Sequence, residues 1–92
     1  MSEHRREITI VNQRGLHARA SAKFVNAVSQ LPEGCTVKIA KDGTEAAGGS
    51  ILGLMMLGAA KGDKVELIVA GDNAEPAFGE LSALIENGFG EE

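Results

Sequence analysis

Apolar and polar residues alternate along this chain with two different periods, and the switches between them mark seven elements. In residues 7–11, Ile8 and Ile10 fall on one side of Thr9, the period of a strand. From residue 18 to residue 31 the period lengthens: Ala20, Phe24, Ala27, Val28 and Leu31 recur at helical spacing, and Pro32-Glu33-Gly34 ends the helix. Val37 and Ile39 then alternate with lysines up to Asp42-Gly43, a dipeptide suited to a two-residue hairpin turn, so residues 44–47 are expected to return antiparallel. Gly48-Gly49 breaks that strand. Ser50 is a preferred N-cap residue type, and residues 51–57 form a short helix closed by Gly58. After Lys61-Gly62-Asp63, a strand over residues 64–69 puts Val65, Leu67 and Val69 on one face. A last helix follows Gly71-Asp72-Asn73, with Phe78, Leu81, Leu84 and Ile85 as its apolar stripe and Pro76 accommodated in its first turn.

The order βαββαβα, with three amphipathic helices and period-two strands, predicts a two-layer α+β domain. It is an open-faced sandwich in which helices cover one face of a four-stranded antiparallel sheet. The pattern alone also permits a ferredoxin-like arrangement, since the first six elements are the same. Residues 1–92 make one domain, with no internal repeat, linker or low-complexity stretch. Gly90-Glu91-Glu92 is expected to be a loose tail, and His4, near the other end, to be solvated.

The short helix carries more apolar positions than one buried stripe uses. Leu54 and Leu57 are the expected core-facing pair, leaving Ile51, Leu52 and Met55 as an exposed patch. Methionine suits surfaces that must fit several partners.

Charge is unevenly placed. Residues 1–23 hold Arg5, Arg6, Arg14, Arg19 and Lys23 against Glu3 and Glu7, a net of +3; the rest carry −7, giving the −4 of the whole chain. An acidic protein without interleaved aromatic and basic residues is a poor nucleic-acid binder. No run of about 20 apolar residues is present, and the basic start is followed by a strand pattern rather than a signal-peptide apolar region, so a cytoplasmic location and no membrane partner are expected. Cys35 is the only cysteine, which suits a reducing compartment and a structural place in a turn before a strand.

The basic end surrounds Gly15-Leu16-His17-Ala18-Arg19, which closes the first strand and opens the first helix. A helix start offers unpartnered N–H groups and about half a positive charge, a setting that binds anions. The same field disfavours imidazolium, so His17 is expected to be a neutral nucleophile toward phosphorus, with Ala18 and Arg19 receiving the phosphoryl oxygens. Alone, a His-x-Arg motif is weak.

Together with the segment from Gly49 to Gly62, Gly-Ser-Ile-Leu-Gly-Leu-Met-Met-Leu-Gly-Ala-Ala-Lys-Gly, the His17 motif resembles HPr, the histidine-containing phosphocarrier family of the bacterial phosphotransferase system, with its nitrogen-type paralogues. The likeness covers nearly the whole chain. It implies a carrier, not a free-standing enzyme, that takes a phosphoryl group from enzyme I onto His17 and passes it to a histidine of enzyme IIA. It implies no cofactor or metal, and a monomer. Arg14, Leu16, Ala20, Ile51, Leu52 and Met55 are the expected docking residues, and Ser50 the expected target of a regulatory HPr kinase/phosphorylase. The family usually has proline where this chain has Ala20; alanine keeps the helix but not the proline's preorganisation. Two other readings stand beside this one. The first is a regulatory binding module whose phosphorylation state controls other proteins rather than sugar uptake; the second is a ferredoxin-like small-molecule-binding domain.

Overall fold

Hydrogen-bonded pairing decides what hydrophobic periodicity left open. A computed structural model describes residues 2–91. Its elements run β1 (Ser2–Thr9), α1 (Ala18–Ser29), β2 (Cys35–Lys41), β3 (Thr44–Ala47), α2 (Ile51–Met56), β4 (Lys64–Gly71) and α3 (Ala74–Glu86), followed by a single turn of 3-10 helix, Gly88–Gly90. The four strands form one sheet in the order β1-β4-β2-β3. Every neighbouring pair is antiparallel. A ferredoxin-like sheet is antiparallel too but sets β1 between β4 and β3; here β1 is an edge strand and β4 lies between β1 and β2, so that alternative is excluded.

The hairpin is built as its sequence demands. Lys41 pairs with Thr44 across a two-residue turn in which Asp42 and Gly43 both have positive φ, 52° and 84°. That is the primed turn whose twist matches the flanking strands, and Asp-Gly is among the few dipeptides that enter it cheaply.

The core lies between the sheet's inner face and the helices. Ile8, Val37, Ile39, Ala46, Val65, Leu67 and Val69 meet Ala20, Phe24, Leu54, Leu57, Ala77, Leu81 and Ile85. In α3, Leu81 and Ile85 are fully buried whereas Phe78 and Leu84 are half-buried against the core's edge. Along α1 and just past its end, Ala27, Val28 and Leu31 likewise only flank a core centred on Ala20 and Phe24.

Two expectations about the termini are corrected. β1 starts at Ser2, five residues before the apolar alternation, and pairs with β4 from Ser2↔Gly71 to Thr9↔Lys64. Its inward positions there are polar: the His4 ring lies 5.4 Å from the Phe78 ring, and Arg6 forms a 2.6 Å ion pair with Glu86. His4 is therefore half-buried under α3 rather than solvated. At the other end, residues 88–91 are docked, not loose. Phe89 is 1% exposed, Lys23 Nζ donates to its carbonyl at 3.0 Å, and the Glu91 N–H donates to the Gly88 carbonyl. Glu92 lies outside the described residues. Among the described residues no helix is long and apolar enough to cross a membrane.

Candidate functional site

The loop between β1 and α1 is clamped from below. The buried Asn12 amide donates to the Gly15 carbonyl at 2.8 Å, the Leu16 N–H donates to the Ala59 carbonyl at 3.0 Å, and the Ser21 hydroxyl donates to the Leu16 carbonyl at 3.2 Å. Gly15 has a φ of 62°, and a Cβ there would strike the Ala59 carbonyl oxygen. The glycine is required by both conformation and space.

This clamp sets His17 as the N-cap of α1. Its carbonyl accepts from the Ser21 N–H at 2.9 Å, and its Nδ1 accepts from the Arg19 N–H at 3.3 Å. An imidazole nitrogen thus occupies the place where a capping oxygen usually sits, among the free N–H groups of a helix start. On the far side of the ring, Nε2 is 2.9 Å from a Glu91 carboxylate oxygen, which also accepts from the Asn12 amide at 3.2 Å. Only 16% of the His17 side chain and 17% of the Glu91 side chain are exposed. The hydrogen bond with the His17 ring is the main influence holding the Glu91 carboxyl below its ordinary range; partial burial opposes it, and the Asn12 amide and Lys23 assist.

Between α1 and Glu91 opens a cleft of about 340 Å³ lined by Gln13, Arg14, Arg19, Lys23, Gly90 and Glu91. Three cations against one carboxylate make it a receptacle for an anion. A larger depression of about 490 Å³ sets Glu7, Asp42, Glu45, Asp63 and Glu66 against only Lys41 and Lys64, a net negative lining that disfavours an anion.

Of the residues singled out in the sequence, His17, Ala18 and Arg19 converge at the start of α1 with Arg14 beside them. Leu16 and Ala20 are a correction: expected to touch partners, they are 4% and 0% exposed and face the core. Their contribution is to fix the backbone on either side of His17.

Helix α2 is capped by Ser50, whose hydroxyl accepts from the Gly53 N–H at 2.9 Å. Leu54 and Leu57 are buried; Ile51, Leu52 and Met55 are exposed, and so is Met56, at 75%, which the sequence reading did not single out. α2 packs on α1, and the residue that accepts from Leu16, Ala59, lies three residues past its end, so the patch and the His17 loop share one support.

Glu91, Asn12 and Lys23 were also missed. A partner 74 residues away leaves no local signal. The one available hint was Phe89, an aromatic flanked by glycines in a segment otherwise polar enough to be a tail.

Comparison with known proteins places this geometry among relatives. Residues 4–87 match the family model described as the PTS HPr component phosphorylation site. The chain is 42% identical over 86 residues to the phosphocarrier protein HPr of Pseudomonas aeruginosa, covering 92% of this chain and 93% of that one. It is 34% identical over 91 residues to the phosphocarrier protein NPr of Shewanella violacea, covering 99% and 98%. The crystal structure of HPr-C-His from Thermoanaerobacter tengcongensis superposes with a TM-score of 0.86 at 40% identity, covering 100% of this chain and 99% of that one.

Proposed function

The chain belongs to the HPr family of phosphocarriers of the phosphotransferase system, and from that membership we propose that His17 accepts a phosphoryl group from phospho-enzyme I and passes it to a histidine of enzyme IIA. It is a carrier rather than a free-standing catalyst. The observation that supports the assignment most directly is His17 Nδ1 at the open start of α1, accepting from the Arg19 N–H. Its lone pair attacks phosphorus in line, the P–N bond to enzyme I breaks, and that bond's electron pair returns to the donor's imidazole. Once Nδ1 carries phosphorus, the Arg19 N–H has lost its acceptor. It turns, with the Ala18 N–H and the Arg19 guanidinium, to the phosphoryl oxygens.

The exposed Ile51, Leu52, Met55 and Met56 supply the docking surface for enzyme I and enzyme IIA in this reading, with Arg14 at its basic margin. Ser50, at the edge of that patch, is the proposed target of an HPr kinase/phosphorylase. The exchange takes place in the cytoplasm. The likeness to an NPr favours a second reading, in which the same phosphorylation controls regulatory proteins instead of sugar uptake. The identity of the protein that drains phospho-His17 separates the two.

Incubation with phosphoenolpyruvate and enzyme I, followed by intact mass, tests the carrier reading. One phosphoryl group should be gained, on a bond that acid cleaves and base spares. His17→Ala should gain none; labelling of that variant at the wild-type rate would move the acceptor elsewhere.

A further inference from the structure

The transfer above uses one face of the His17 ring and leaves the other facing a carboxylate. We infer that Glu91 is a positioning residue for the transfer: it holds the Nε2 proton, turns the Nδ1 lone pair toward phosphorus and balances the cationic ring that forms. This deepens the carrier reading and rests on it.

The geometry is built rather than incidental. Glu91 is delivered by the Gly88–Gly90 turn, anchored by the buried Phe89 ring at a φ of 59° and by Lys23 on its carbonyl. A bulky residue held at positive φ is costly and persists only where its surroundings impose it. The Asn12 amide, 1% exposed, donates to both the Gly15 carbonyl and Glu91, so one side chain fixes the His17 loop and the carboxylate together.

The proton count follows from the partners. Nδ1 accepts from an N–H and therefore carries no hydrogen; Nε2 carries it and donates to Glu91. When Nδ1 attacks, the P–N bond to the donor breaks and no proton moves. The ring emerges phosphorylated on Nδ1, protonated on Nε2 and positively charged. In that protonated form Nδ1 is the better leaving group for the next transfer. The titratable and charged groups around the carboxylate are the His17 ring, Lys23, Arg14 and Arg19. The His17 hydrogen bond is the first of the influences that hold the carboxyl below its ordinary range and so favour its ionised form.

Glu91→Gln keeps an acceptor without the charge, and Glu91→Ala removes both. Measured as rates of uptake from phospho-enzyme I and of onward transfer across pH, Glu91→Gln should be about ten-fold slower than wild type. The alkaline limb of its onward-transfer profile should move to lower pH, because the phosphorylated ring gives up its Nε2 proton more readily. Glu91→Ala should be slower still. Wild-type rates and an unmoved limb in both variants would reduce Glu91 to a terminal dock. Imidazole ¹⁵N resonances of the unmodified wild-type chain need no variant: hydrogen on Nε2 supports the inference, and hydrogen on Nδ1 overturns it. Should the wild type take up no phosphoryl group while its Nε2 proton is in place, the carrier reading fails and this inference with it.

Discussion

At the scale of single residues, the two nitrogens of His17 have different partners, and the difference is what the ring needs in order to act in one direction. The N-cap position was legible, because the helical period begins at Ala18 and leaves His17 as the residue just before it. Its second partner was not, since nothing near Glu91 in sequence refers to His17. Arg19 belongs to the legible part. It is exposed and lines the cleft with Arg14 and Lys23, so its guanidinium is free to meet an incoming anion. Arg19→Ala should therefore slow phosphoryl uptake about ten-fold or more, the range of a lost charge-assisted contact. The thermal midpoint should hold, because an exposed side chain on a well-formed helix contributes little to folding. A lowered midpoint with an unchanged rate per folded molecule would make Arg19 structural.

Among the elements, α2 shows how six residues serve the core and the surface at once. Leu54 is fully buried, and Leu57 nearly so just past its end, while four large apolar side chains face solvent around them. Three-residue spacing made the buried pair readable. Met56 escaped because a seven-residue apolar run gives no contrast from which to assign its far side. Leu54→Asp should unfold the domain, since an unpaired buried charge is among the most damaging single changes. Met55→Asp should leave folding nearly intact and weaken binding of enzyme I. Ser50→Asp places a charge at the rim of the same patch and should slow phosphorylation of His17 without lowering the midpoint, an effect that shrinks in high salt. Thermal unfolding and uptake rate on all three variants check this; equal destabilisation by Met55→Asp and Leu54→Asp would mean that the patch is core, and unchanged uptake by Ser50→Asp would leave Ser50 a helix cap. β1 teaches the opposite lesson about elements. It is an edge strand whose first half is held by backbone pairing to β4 and by polar side chains under α3, so no apolar alternation announces it.

Across the whole molecule, topology makes the site. β4 lies between β1 and β2, and α3 packs on β1 and β4, which returns the end of the chain to the loop that leaves β1. Element order could be read from periodicity; strand order could not, because a period says which face is buried and nothing about neighbours. The closure has a consequence for stability as a function of pH. Glu91 titrates below its ordinary value of 4.5 in the folded chain, first because of the His17 hydrogen bond. A group with a depressed folded value stabilises the fold fully above its unfolded value, and that contribution is lost as pH falls through the folded one. Wild type should therefore be more stable than Glu91→Gln at neutral pH, and the gap should close on acidification from 4.5 downward, where Glu91 becomes a neutral acid much like the glutamine. Thermal midpoints of the two proteins through that range test the link. A gap that persists unchanged in acid would mean that the terminus is held by Phe89 and Lys23 alone and that the carboxylate's charge contributes nothing to closing the molecule over His17.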